Sequence, residues 1–201
     1  MGKIFYIMGK SAVGKDTVYK EILKMLPELK TVVPYTTRPI RTGEQNGKEY
    51  YFTSQEEKRT MEDAGKIIEC RTYQTMMGPW SYFTADDGQI DLENAYYLMI
   101  GTLESYEKTR AYFGAEALVP VYIAVEDGIR LQRALDREKL QETPRFDEVC
   151  RRYLADEEDF SKENIERCGI KEFYDNTELK RCIKEIAENI RHEMSGETGL
   201  L

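Results

Sequence analysis

"IFYIMGKSAVGKDT", residues 4–17, decides the fold. Ile4 to Met8 is an apolar run of the length of a buried strand. Gly9, Gly14 and Lys15 then fall where a phosphate-binding loop needs them, with Lys10, Ser11, Ala12 and Val13 between. The glycines let the backbone turn tightly and approach oxygen atoms. Successive N–H groups then point into the loop at a helix N-terminus, where anions are favoured. Lys15 supplies a mobile positive charge for β- and γ-phosphates. Val18, Ile22, Leu23 and Leu26 share one helical face, and Pro27 stops the helix. Strand, glycine loop and helix together predict nucleotide binding over residues 9–17. One position departs from the usual loop: Asp16 stands where a Ser or Thr hydroxyl is expected, and Thr17 follows it.

Outward from this stretch, strands and helices alternate. Strands are predicted at Thr31–Val33, Lys66–Tyr73, Tyr97–Ile100, Val119–Val125 and Ile170–Tyr174. Ser54 and Glu57 form a capping box for a helix ending near Gly65. A helix runs from Leu103 to Phe113 and ends at Gly114, Asp127 caps another, and Pro144 interrupts it. A further helix holds Val149, Tyr153 and Leu154. The last helix carries Leu179, Ile183, Ile186 and Ile190 on one face, and the polar chain after Arg191 is expected to fray. Residues 76–94 read as an irregular lobe. Alternation of this kind predicts an α/β fold with a parallel sheet covered on both faces.

The 201 residues suffice for one domain that buries about 70% of the unfolded chain's surface. The net charge of −8 argues against nucleic acid as a partner, so any anion site is a local cluster of Arg and Lys. Cys70, Cys150, Cys168 and Cys182 form no Cys-x-x-Cys pair, and one His is too few for a Cys/His zinc site. Reduced thiols, no signal-peptide pattern and no membrane-length apolar run predict a cytoplasmic protein with no membrane partner.

A second motif, "YTTRPIRTGEQNGKEYYF" at 35–52, offers Arg38 and Arg41 as bidentate anion donors three residues apart. Tyr50 adds a phenolic donor, and Gly43 and Gly47 let the segment fold back around one phosphate. With the loop, this segment resembles the guanylate kinase family, whose acceptor lobe reads Thr-Thr-Arg-x-Pro-Arg-x-Gly-Glu-x-x-Gly-x-x-Tyr-x-Phe. Thr36, Thr37, Arg38, Arg41, Gly43, Glu44, Gly47, Tyr50 and Phe52 follow that order, with Ile40 where the family often has Pro. The resemblance continues at Glu69, matching the family's reader of the guanine edge. "LQRALDREK" (131–139) and "VCRRYLAD" (149–156) look like an arginine-bearing lid, with Arg133, Arg137 and Arg152 at the matching places. Asn176 resembles the Asn near the donor's adenine. The likeness spans roughly residues 3–190.

The resemblance implies a P-loop NTPase fold in a single domain, 1–201: a core (1–34, 95–135, 155–194), an inserted acceptor-binding lobe (35–94) and a short lid (136–154). It implies transfer of the γ-phosphoryl of ATP to GMP or dGMP with Mg²⁺. Residues 9–17 and Asn176 would hold ATP. Thr37, Arg38, Arg41, Glu44, Tyr50 and Glu69 would hold the acceptor. Lys15, Arg38, Arg133, Arg137 and Arg152 would act on the transferring group, because phosphoryl transfer is catalysed mainly by positioning and charge stabilisation. A closing lid would also exclude water, whose attack on ATP is the competing reaction.

Several positions depart from the family. Pro34 replaces a base-contacting Ser, Met77 a Tyr that contacts the acceptor phosphate, and Met99 and Gly101 replace two aspartates of the strand "LMIGT" (98–102). Asp16 is therefore read as the acid that organises Mg²⁺, beside Thr17; its other reading is a favourable charge at a helix N-terminus. Asp86, Asp87, Asp91 and Glu93 either compensate for the missing acids or form a solvated loop. Trp80, Tyr82 and Phe83 either stack on a base or form lobe core. Two other readings share the loop: a kinase of the ribose 1,5-bisphosphate type, which needs no base recognition, and a guanylate-kinase-like binding module without catalysis.

Overall fold

Every residue of β1 (Ile4–Met8) is buried because both faces of the strand are covered. Phe5 and Ile7 pack with Val18 and Ile22 of α1 (Lys15–Met25) and with Ile183, Ile186 and Ile190 of α7 (Leu179–Ser195). Tyr6 and Met8 point to the opposite face, against Leu103 and Tyr106 of α3 (Leu103–Phe113). Each fully buried aliphatic side chain in these layers contributes about 1.5–3 kcal/mol. The structure, a computed structural model, describes residues 1–75 and 77–196. Met76, at the head of the stretch expected to be irregular, and the last residues of the tail lie outside them.

The core sheet is parallel, with strand order β2-β7-β1-β8-β9, where β2 is Lys30–Thr31, β7 Tyr97–Ile100, β8 Leu118–Ala124 and β9 Tyr174–Asp175. A second sheet, β4-β3-β6-β5, is built from the insertion: β3 is Tyr35–Thr36, β4 Tyr51–Phe52, β5 Ile67–Thr75 and β6 Gly78–Ala85. Helix α2 (Gln55–Asp63) opens on the expected capping box of Ser54 and Glu57. Between β8 and β9 lie α4 (Asp127–Lys139), α5 (Phe146–Asp159) and α6 (Lys162–Arg167). Residues 136–154 thus comprise the end of α4, its connection and most of α5.

Five local expectations need correction. The second strand is Lys30–Thr31, not Thr31–Val33, because Lys30 already pairs with Tyr97. The lobe is less irregular than its Gly and Pro content suggests: β6 pairs antiparallel with β5, and Ser81 and Phe83 point into the lobe. Asp127 lies inside α4, whose cap is Glu126 accepting from the Ile129 N–H. The final strand is only Tyr174–Asp175, although Ile170 is buried as its apolar character requires. Helix α7 continues past Arg191 to Ser195 and ends at Gly196 in the left-handed conformation.

Candidate active site

The phosphate loop runs from β1 into α1. Gly9 has φ 151°, and a Cβ there would stand 2.2 Å from the carbonyl oxygen of Ile123, so only glycine fits. Ala12 takes a left-handed φ of 63°, a conformation that turns successive N–H groups inward. Lys15 Nζ donates to the carbonyls of Gly9 (2.7 Å) and Lys10 (2.9 Å), closing the loop on itself. Burial lowers the pKa of Lys15, opposed by the charges of Asp156 and Asp16, and the positive charge of Arg137 adds to the lowering. Asp16 and Thr17 are exposed in the first turn of α1. The buried Asn176 donates its amide to the carbonyl of Val13 (2.7 Å), and Arg133 donates to the carbonyl of Asn176 (3.0 Å). Both residues therefore brace the loop.

An acidic cluster that sequence reasoning missed meets the first half of the loop. The Ser11 N–H donates to Asp156 Oδ2 at 2.8 Å, and Lys10 donates to Glu157 at 2.7 Å. Arg130, 2% exposed, answers these carboxylates through Asp127 (2.7 Å), Glu157 and the ring of Tyr153, whose centroid is 4.1 Å away. A buried guanidinium needs such partners to offset its desolvation. Lys10 and Ser11 thus engage α5. The only signal in the sequence was the mixed charge of α4 and α5, which also suits a solvated face.

In the lobe, Arg38 is 4% exposed and forks onto Glu44 at 2.7 and 2.5 Å, over the rings of Tyr50 and Phe52. The guanidinium of Arg38 holds the Glu44 carboxyl down at about 2. Glu44 also accepts from the Arg41 N–H, while the Arg41 side chain is exposed. Thr37 is absorbed in lobe structure: its hydroxyl accepts from the Ser81 N–H and from Gln55. Tyr50 packs edge-on to Phe52 and Tyr82, and burial raises its phenol pKa. Phe83 is lobe core, whereas Trp80 lines the cavity described below. Asp86 and Asp87 accept from the hydroxyls of Tyr112 and Tyr35, and Asp91 from Asn94.

Loop and lobe share a cavity of about 1000 Å³. Lys15 and Asp16 line it from the loop, Tyr50 and Glu69 from the lobe, and Arg151 and Arg152 from α5. Arg152 was expected there; Arg151 was not, and both arginines pair with Glu148 at 2.8 and 2.7 Å. Arg137 and Arg152 together line an adjoining cleft of about 640 Å³. Glu69 is 3% exposed and accepts from Thr84 (3.0 Å) and from Arg71 Nε (3.2 Å). Behind Glu69, Tyr6 donates to Ser105 Oγ at 2.8 Å. A Cβ at Gly101 would lie 2.3 Å from the Tyr6 hydroxyl oxygen, so the tyrosine fills the space that a side chain at 101 would need. Burial, then the charge of Glu69, raises the Tyr6 pKa.

Residues 1–81 match the family described as Guanylate kinase. Over these residues the chain is similar to guanylate kinases. Curated guanylate kinases are similar to part of it: that of Geobacter metallireducens is 46% identical over 68 residues, 34% of each chain, and that of Desulfitobacterium hafniense 41% identical over 68 residues, also 34% of each. The chain spans about a third of the length of these relatives, and the family match over 1–81 holds the loop, Arg38, Arg41, Tyr50 and Glu69. The crystal structure of guanylate kinase from Anaplasma phagocytophilum is 21% identical, with a TM-score of 0.61, covering 98% of this chain and 88% of that one. At that identity the likeness establishes the fold, a P-loop NTPase fold with helices flanking a parallel sheet. No helix among the described residues is long and apolar enough to cross a membrane. All four cysteines are free of disulfides.

Proposed function

We propose that this chain transfers the γ-phosphoryl group of ATP to the phosphate of GMP or dGMP. The observation that carries this reading is the shared cavity: a phosphate loop with Lys15 on one wall, and Tyr50 and Glu69 on another. Two substrates placed there would meet end to end, and holding them so is the main contribution to such a reaction.

Residues 9–17 hold the triphosphate through loop N–H groups, and Lys15 turns from the carbonyls of Gly9 and Lys10 to the transferring group. Arg38, Arg41 and Tyr50 hold the acceptor phosphate, with Glu44 orienting Arg38 and Thr37 bracing the lobe over 35–94. Arg137 and Arg152, on the lid of 136–154, balance charge on the equatorial oxygens. Arg133 acts from behind the loop through Asn176, the residue that by resemblance to the family would serve the adenine of the donor.

The residues present fit Mg²⁺. The metal favours one or two carboxylates with phosphate oxygens and waters, and the exposed Asp16 lies on the cavity wall with Thr17 beside it. Bound there, it would neutralise charge on the phosphates.

The test is a rate measurement with GMP, dGMP, AMP, UMP and ribose 1,5-bisphosphate over a Mg²⁺ series, for the parent chain and Asp16→Ser. A preference for guanine on the order of 10⁴-fold is expected, because a site built to accept two hydrogen bonds from a base rejects bases that cannot donate them. Asp16→Ser should need several times more Mg²⁺ for half-maximal rate. Equal rates with GMP and AMP, or turnover of ribose 1,5-bisphosphate alone, would sink the reading. An unchanged Mg²⁺ requirement would remove Asp16 from the metal site.

A further inference from the structure

Glu69 does not stand alone at the inner end of the cavity. Arg71, two residues along β5, lies on the same strand face, and its Nε donates to Glu69 Oε2 at 3.2 Å. Its side chain is 19% exposed, and both residues line the cavity. Among the described residues, the two terminal NH₂ groups of Arg71 carry no protein hydrogen bond, and Tyr6, Tyr82 and Thr84 line the same cavity. A guanidinium so placed has donors to spare and a fixed neighbour that orients it.

The chemistry of the pair is directional. The Watson–Crick edge of guanine presents two donors, the 2-amino group and N1–H, followed by one acceptor, O6. Glu69 offers two acceptors, and Arg71 beside it offers donors. Acceptor, acceptor, donor is the complement of donor, donor, acceptor. An adenine edge presents an acceptor at N1 to Glu69 and a donor at N6 to Arg71, so both contacts become repulsive. Arginine is also the side chain that most often reads O6 of guanine elsewhere in recognition.

We propose that Arg71 is a specificity-determining residue that donates to guanine O6, completing with Glu69 a three-point reader of the acceptor base. It takes over base contacts at a site where Pro34, Met99 and Gly101 offer no polar side chain. The inference rests on the guanine nucleotide reading above.

The experiment compares GMP, 6-thio-GMP and IMP as acceptors for the full chain and for Arg71→Lys and Arg71→Met. Replacing O6 by sulfur weakens that acceptor and keeps N1–H; IMP lacks only the 2-amino group. In the parent, 6-thio-GMP should lose about tenfold in kcat/KM, and IMP a comparable factor. In Arg71→Lys, which keeps a cation beside Glu69, kcat/KM for GMP should fall about ten- to a hundredfold. The 6-thio penalty should shrink to within about twofold, while the IMP penalty, which belongs to Glu69, persists. Arg71→Met should show the same pattern, with circular dichroism checking its fold. A 6-thio penalty undiminished in Arg71→Lys would overturn the proposal and leave Arg71 as a counter-ion of Glu69. Calorimetry on the parent separates the two levels: no GMP binding would overturn the guanine reading and this inference together.

Discussion

At the loop end of the cavity the groups on offer come from main chain; at the opposite end, which we propose holds the base, they come from side chains. The loop is shaped by Gly9, Ala12 and Gly14 at positive φ, and its donors are N–H groups that any sequence carries. The base end is assembled from Tyr6 of β1, Glu69 and Arg71 of β5, Thr84 of β6 and the gap at Gly101 just after β7, elements of two sheets. A main-chain site depends on a few residues close in sequence. A side-chain site depends on what distant strands bring opposite one another, so it can be rebuilt while the phosphate end stays as it was.

The largest effect that would break this contrast is at Lys15, the side chain that reaches back across the loop to Gly9 and Lys10. Lys15→Ala should lower kcat by about 10²–10³, with the fold and thermal midpoint nearly unchanged, since charge on the transferring group is lost. Near-normal kcat would remove the loop from catalysis.

A smaller effect tests how tightly the base end is packed. Gly101→Ala puts a methyl 2.3 Å from the Tyr6 oxygen and 2.6 Å from Ser105 Oγ. It should destabilise by about 1–3 kcal/mol in denaturant unfolding. Tyr6→Phe alone should cost about 1 kcal/mol for its lost hydrogen bond, yet the double variant should be more stable than the sum. Strict additivity would mean that the two positions do not compete for space.

The smallest effect concerns the inserted lobe. Glu44 has its pKa lowered from 4.5 to about 2 by Arg38, so the charged pair contributes fully above pH 4.5. That contribution is lost as the pH falls from 4.5 through about 2. The difference in Tm between the parent chain and Glu44→Gln should be level above pH 5 and shrink below it. A difference that stays level into strong acid would mean that the carboxylate charge is not what orients Arg38.

Much of this was legible in the sequence, for a physical reason. The loop, α1, the capping box at Ser54 and the apolar stripe of α7 are local patterns, and local patterns carry their own geometry. The lobe motif was readable residue by residue, although Glu44 holds Arg38 and Thr37 holds Ser81. Strand β6 was hidden by Gly78 and Pro79 at its start, and its register against β5 is what sets Thr84 beside Glu69. Arg130, Asp156 and Arg71 were not legible at all. Each is an ordinary charged residue until a partner from another element arrives, and nothing in its neighbours along the chain announces that partner.

The contact between residue 101 and Tyr6 also fixes an order of events for any change at this site. An acidic side chain cannot enter at 101 while the tyrosine stands, because 2.3 Å leaves no room even for its Cβ. Residue 6 must change first, and loss of its hydroxyl is the change that matters, since the nearest atoms are that oxygen and the ring carbon bearing it at 3.0 Å. A chain with Phe at 6 and Gly at 101 forfeits the bond to Ser105 Oγ, at a cost of about 1 kcal/mol. Against a typical total stability of about 5–15 kcal/mol, that intermediate is readily carried. The two positions are therefore passable in one order only: the hydroxyl leaves, and then a side chain can enter at 101.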